Sequence, residues 1–178
     1  MTTEHILQTP WVFWFESGKN SEKSTNITTF GEKLVTIKSI EEFWGFYDIF
    51  PSISRVLKGS DSHFFREGIN PTQSDSENNK GCRFVFTFDM KTDEQVTFIE
   101  KLWEKLLKYC IGEIFTFREV INGISFSMRS QGRITLWVNT QENNKHIDFV
   151  NAFKSDFGID AKCKLYDHKN PLQAPVEM

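Results

Sequence analysis

The chain has 178 residues, a net charge of −3 from 21 basic and 24 acidic side chains, and 15% aromatic content carried by 18 Phe, 5 Trp and 3 Tyr. That length is one domain with a full core. The balance, with pI near 5.8 and mean hydropathy −0.41, excludes a general nucleic-acid coat protein, whose basic stripe would push the pI well above neutrality; it leaves room for a small anionic ligand held by a few local arginines.

The opening MTTEHILQTPWVFWF lacks a basic flank, an apolar core and a small-residue cleavage site, so no secretion signal is expected. Trp11 to Phe15 reads as a buried strand, and the polar, aperiodic stretch from Gly18 to Thr29 as a long loop. Leu34 to Lys38 is a second strand. Ser39 then caps a helix whose apolar positions Ile40, Phe43, Trp44 and Tyr47 follow the i, i+3, i+4, i+7 rule, and Pro51 closes it. INPTQSDSENNKG, before Cys82, is too polar to be anything but loop. Phe84, Phe86 and Phe88 alternate with polar or small residues, a half-buried strand. The longest helix begins at a Thr92/Gln95 capping box and runs to Ile111, with Gly112 as its stop. Its inner face is Ile99, Leu102, Trp103, Leu106, Leu107 and Cys110.

A hairpin follows: Gly123 to Arg129, the loop Ser130-Gln131-Gly132, then Arg133 to Val138. A third helix is expected over about 144–157, ending at Gly158, then a strand from Lys162 to Asp167 and a loose tail from about 168. No apolar run reaches the roughly 18 residues that span a bilayer. The odd, scattered Cys82, Cys110 and Cys163 speak against a disulfide framework or zinc site and for a reducing cytoplasm. The expected architecture is a single α+β domain over 1–178, a curved antiparallel sheet backed by helices on one side.

The hairpin carries the chemistry. The alternation puts Ser125, Ser127, Arg129, Arg133, Thr135 and Trp137 on the face opposite the core, with Arg129 across from Arg133. Like charges directly across a ladder repel, so an anion between them is expected to offset the repulsion. Arg83 has the opposite parity to its core-facing phenylalanines and joins this face. Three arginines and a tryptophan there read as a pocket for a phosphorylated aromatic ligand. The alternative is a pair of arginines splayed into solvent. His5, His63, His146 and His168 are scattered and expected to be satisfied or solvated. Glu41-Glu42 and Asp93-Glu94 sit in first helical turns, where the macrodipole explains them. Gly-rich phosphate loops, metalloprotease motifs and nucleophile elbows do not occur, and neither catalysis nor a cofactor or metal is expected.

HILQTPWVFWF, IEEFW, SHFFREGINP, the helix end IGE and NGISFSMRSQGRITLW together resemble the eukaryotic translation initiation factor 4E family, in order and over nearly the whole chain. The resemblance implies an eight-stranded curved antiparallel sheet with three helices on its convex back. It also implies binding of the 7-methylguanosine cap of messenger RNA, the guanine lying between two Trp rings. By position, Arg83, Arg129 and Arg133 match phosphate-binding residues and Trp137 the tryptophan that contacts the methyl group, while a family lysine is replaced by Gln131. The two sandwich tryptophans fall near Ile27 and at Gln73, and the glutamate that reads the guanine edge falls at Ser74. Phe30 is then the one stacking ring in its loop and Asp75 the nearest carboxylate. The 18–33 and 70–82 loops are expected to be mobile without ligand.

For the dorsal surface the resemblance implies a partner helix from an initiation factor 4G-like scaffold or a repressor. His5, Ile40 and Trp44 match that site and Ile111 is expected to border it. Glu104, Lys105 and Lys108 replace the family's Leu, Glu and Leu, so a partner with changed charges is expected. The implied protein is a cytoplasmic monomer, in a host cytoplasm if the source is a virus; the abundance of Asn, Lys and Ile suggests an AT-rich genome. The rival expectation is a degenerate homologue that acts as an interaction module or translational regulator without cap binding.

Overall fold

The computed structural model describes residues 4–18, 31–140 and 146–178. These form one eight-stranded sheet: β1 (Ile6–Glu16), β2 (Glu32–Ser39), β3 (Asp61–Arg66), β4 (Cys82–Phe88), β5 (Ile121–Met128), β6 (Gly132–Val138), β7 (Lys162–Asp167) and β8 (Val176–Glu177). Its spatial order is β2-β1-β3-β5-β6-β4-β7-β8, with every neighbouring pair antiparallel. Helices α1 (Ile40–Tyr47), α2 (Asp93–Ile111) and α3 (His146–Phe157) all pack on one face of this curved sheet.

Cross-strand register explains why. Phe13, Phe64, Ile124, Leu136, Phe84 and Leu165 form one row across six strands. The first five belong to the buried core, as do Phe86 and Phe126 one step along, and Leu165 packs against it half-buried. Helix side chains lie over them: Phe149 stacks on Phe84 at 4.8 Å, Phe153 meets Phe86 at 4.7 Å, and Trp103 sits 6.0 Å from Phe126. Alternation forces the intervening residues to the other face. One row there runs Val12, Phe65, Gly123, Trp137, Arg83, Tyr166; the next, Trp14, His63, Ser125, Thr135, Val85, Lys164; the third, Glu16, Asp61, Ser127, Arg133, Thr87, Lys162.

The helix boundaries follow their caps. Ser39 Oγ accepts from Glu42 N–H at 3.2 Å. Thr92 and Gln95 form the reciprocal capping box, and the buried face of α2 is the expected six residues. Gly158, at φ +61° after α3, takes the left-handed conformation that favours glycine.

Four expectations need correction. First, α1 ends at Tyr47 with Asp48 as its C-cap, well before Pro51. Its buried residue is Phe43, while Ile40 and Trp44 remain 41% and 38% exposed, because an eight-residue helix offers the core too narrow a stripe. Second, DSHFFR is strand β3, hidden to periodicity because four consecutive residues of it are buried. Third, the hairpin register is shifted by two residues, with the three-residue loop now at 129–131. Met128 pairs with Gly132, Ser127 with Arg133, and Gly123 with Trp137, so Arg129 lies in the loop. A two-residue shift keeps each side chain on its face but changes its partners, and the Arg129–Arg133 opposition disappears. Fourth, the tail from 168 is fastened: Lys164 and Leu165 pair with Glu177 and Val176, and Met178 N–H donates to Cys163 O at 3.0 Å. Ile27 and Phe30 lie outside the described residues, as do 19–30 of the first loop.

Candidate functional site

Opposite the helices, two rings and one guanidinium form a stack. Arg83 sits with its Cζ 5.4 Å from the Trp137 ring centroid and 5.0 Å from that of Tyr166. β6, β4 and β7 run side by side, and the pairings Trp137–Arg83 and Arg83–Tyr166 place these residues level. Burial lowers the Arg83 pKa, Tyr166 acting in the opposite sense. Among the described residues no carboxylate pairs with Arg83, so this half-buried cation is compensated only by aromatic faces.

Trp137 is held from behind. Its indole Nε1–H donates to Ser125 Oγ at 3.0 Å, and that hydroxyl reaches His63 Nδ1 at 2.8 Å. Burial holds the His63 pKa down at about 4, so the ring is neutral at pH 7 and can accept the Ser125 proton. Phe65 meets Trp137 edge-on at 5.6 Å. Gly123 is required at this point, because a Cβ there would stand 2.4 Å from the Phe65 ring. His168 lies 5.2 Å from Trp137 on the other side. Its Nδ1 hydrogen-bonds Asn78 O at 2.7 Å, while its buried Nε2 finds no partner among the described residues.

Beside the stack is a groove of about 690 Å³ between the hairpin and β7, lined by Thr87, Arg133, Lys162, Lys164 and Tyr166 among others. Arg133 pairs with Thr87, and Thr87 with Lys162; both cations are exposed and make no ion pair among the described residues. Gln131 donates to Asp89 at 2.9 Å on the groove wall.

Of the expected phosphate ligands, Arg83 and Arg133 therefore share this face, and Arg129 is committed elsewhere. Its Nη2 pairs with Asp61 Oδ2 at 2.6 Å and its Nη1 donates to Ser60 O at 3.1 Å. Lys162, Lys164 and Tyr166 were missed by sequence reasoning, although KCKLYD alternates as plainly as the hairpin does.

The 70–82 loop is also better fastened than its polarity suggested. Asn78 is fully buried; its amide donates to Asn70 O and Thr72 O, both at 2.9 Å, and Asn122 Nδ2 donates to Asn78 Oδ1 at 2.9 Å. Polar groups replace the apolar anchors that were sought. Gln73 Nε2 donates to His168 O at 2.9 Å. Asp75 is spent inside the loop, accepting from Asn70 N–H at 2.9 Å and Glu77 N–H at 3.0 Å, so it is not a free guanine-edge acceptor. Ser74 Oγ lies 3.1 Å from Thr72 Oγ1 on the surface.

On the helix side, His5 Nδ1 meets Glu41 Oε1 at 2.7 Å and its backbone N–H donates to Oε2 at 3.0 Å. These bonds hold the Glu41 pKa down at about 2. Trp44 lies edge-on against Phe43 at 5.1 Å and Tyr47 at 5.9 Å, with Lys108 Nζ 5.8 Å from its ring. Lys108 also pairs with Glu104 at 2.8 Å. Burial, then the neighbouring Glu104, raises the Tyr47 pKa to about 12.

Lys105 departs from expectation. Its Nζ donates to Asp156 O at 2.8 Å, over the Phe157 ring at 4.7 Å, satisfying a carbonyl in the last turn of α3. Ile111 is half-buried and packs on the core. His5, Ile40, Trp44, Glu104 and Lys108 thus remain as the surface set. Among the described residues no group of three or more His, Cys, Asp or Glu is placed to hold a metal ion, and no described helix is long and apolar enough to cross a membrane.

Residues 6–174 match the family model described as eukaryotic initiation factor 4E. The chain is 33% identical over 144 residues to eukaryotic translation initiation factor 4E of Candida albicans, covering 80% of this chain and 68% of that protein. It is 31% identical over 140 residues to isoform 4E of Solanum lycopersicum, covering 78% and 68%. Among solved structures, C. elegans eIF4E-3 in complex with the 4E-binding protein Mextli superposes with a TM-score of 0.83 at 22% identity, covering 99% of this chain and all of that one. Ascaris suum eIF4E-3 with m7G cap gives 0.79 at 22% identity, covering 99% and 98%; both share the sheet-and-helix fold described above. On the family-model match and the one-third identity to a curated relative, this chain belongs to the eukaryotic initiation factor 4E family.

Proposed function

We propose that this chain is a translation initiation factor that binds the 7-methylguanosine-type 5′ cap of messenger RNA on its groove face and a scaffold or repressor helix on its dorsal helices, as a single-domain cytoplasmic protein without catalytic activity. One observation carries the reading: a half-buried guanidinium with no carboxylate partner among the described residues, Arg83, is stacked between Trp137 and Tyr166 beside Arg133, which makes no ion pair among them either. A phosphate supplies the missing negative charge through charge-assisted hydrogen bonds, and a methylated guanine, itself cationic, suits aromatic faces. A fold neighbour carries an m7G cap and another the protein Mextli, which supports both surfaces.

In this reading Arg83 and Arg133 hold the cap phosphates and Trp137 contacts the methylated base. The base pocket is altered, since Gln73 is tied to His168 O and Asp75 is spent within its own loop. Phe30 is the stacking ring that the first loop offers. The dorsal contacts are Trp44, Ile40 and the His5–Glu41 pair, with Lys108 and Glu104 setting the charge the partner must meet. Retention on immobilised 7-methylguanosine triphosphate, with release by the free cap analogue and not by GTP, tests it. Retention equal to that on a GTP matrix removes cap recognition. The rival reading, a partner-binding module without cap binding, draws on the Arg129–Asp61 pair, which removes one expected phosphate ligand. It predicts retention on neither matrix.

A further inference from the structure

We propose that the outward face of β7 is a rail for the first nucleotides of the transcript, with Lys164 and Lys162 binding the phosphodiester backbone that leaves the cap site. This rests on the cap-binding reading and extends it. Three observations place the rail. Lys162, Lys164 and Tyr166 alternate with the core-side Cys163 and Leu165, so all three look into the groove. They are spaced two residues apart, about 6.7 Å along the strand. Tyr166 joins the Arg83–Trp137 stack, which makes the rail continuous with the proposed cap-phosphate ligands. The far end closes on Arg133, level with Lys162 across Thr87 and about 9.6 Å away at two strand spacings.

The groove of about 690 Å³ is lined by Lys162, Lys164 and Tyr166 as well as by Arg133, and two of its three acidic residues are answered. Asp89 is held by Gln131 at 2.9 Å and Lys91 at 3.5 Å. Glu177 of the edge strand β8 lies 3.6 Å from Lys164, with side-chain exposures of 81% and 47%. Such an exposed pair is weak, and a phosphate can take Lys164 from it. Asp160 also lines the groove, so its three cations are matched in number by three carboxylates; Arg133 and Lys162 nevertheless make no ion pair among the described residues and are open to a phosphate. Glu177 therefore acts as a placeholder for RNA.

The test compares 7-methylguanosine triphosphate, a capped pentanucleotide and the same pentanucleotide uncapped, each titrated against the folded parent, Lys162→Ala/Lys164→Ala and Glu177→Gln. The parent binds the capped pentanucleotide more tightly than the cap nucleotide, by about tenfold if two charge-assisted contacts are added. The double variant loses that gain and keeps cap-nucleotide affinity. Its log–log salt slope falls by about 1.4, at about 0.7 per single-strand phosphate. Glu177→Gln raises pentanucleotide affinity alone. A parent that gains nothing from the longer RNA overturns the rail. So does a double variant that weakens both capped ligands equally, since the lysines then serve the cap phosphates. Failure of the cap reading shows separately, as equal affinity for capped and uncapped pentanucleotide.

Discussion

Replacing Ser125 by alanine should damage stability and ligand binding together, because one hydroxyl joins two buried groups of the candidate site. Ser125 is 3% exposed, Trp137 7% and His63 9%. The Ser125 Oγ accepts the indole N–H at 3.0 Å and contacts His63 Nδ1 at 2.8 Å. Alanine leaves a buried donor and a buried acceptor unpaired, each at a cost of about 1–3 kcal/mol. With partial relaxation, a loss of about 2–4 kcal/mol is expected. For a chain of this size that lowers Tm by about 4–16 °C. Urea unfolding followed by tryptophan fluorescence measures the loss, and titration with a cap analogue reads the effect of a released Trp137. The two readouts should move together, since the hydrogen bond that satisfies the indole also sets its ring plane. A stability change under about 0.5 kcal/mol, with unaltered fluorescence and affinity, would refute the assigned hydrogen-bond chain.

Arg129→Ala should destabilise the protein by about 1–3 kcal/mol in a thermal melt, because it strands the half-buried Asp61 carboxylate; a stabilised variant would restore the repulsion that the sequence suggested. Stability should fall as pH drops from about 6.5 toward 4, by up to about 3 kcal/mol from His63 alone. The unfolded imidazole takes a proton below its ordinary 6.5, and the folded one, with its pKa near 4, resists it. Urea midpoints at pH 7 and 4.5 for the parent and His63→Gln check this. Trp44→Ala should abolish binding of a scaffold-type peptide while shifting Tm by only a few degrees, as its ring is 38% exposed; unchanged peptide affinity would move the partner site elsewhere.

Much of this was readable from local chemistry. The capping box at Thr92 and Gln95, the six inward residues of α2 and the bounds of β7 depend on spacing alone, and the structure keeps them. What escaped depends on distant neighbours. The hairpin register is set partly by Asp61, on a strand that pairs with β5 rather than β6 and that holds Arg129 in the loop. Strand β3 is buried on both faces, so it carries no alternation to detect. The 70–82 loop was judged by its lack of apolar residues, yet Asn78 and Asn122 anchor it through hydrogen bonds that composition cannot show. Lys105 looks like a surface charge until α3 returns with an open carbonyl beside it. In the site, parity placed Arg83, Arg133 and Trp137 on one face. The same parity in KCKLYD puts Lys162, Lys164 and Tyr166 of β7 on that face as well.

The account turns on whether the groove face prefers a methylated cap. Calorimetric titration of the parent with a 7-methylguanosine-capped dinucleotide and with its unmethylated counterpart asks this directly. One cation–π contact with the methylated base, at about 0.5–2 kcal/mol, predicts an affinity ratio of about 2- to 30-fold in favour of the methylated ligand. A ratio of one would contradict the account.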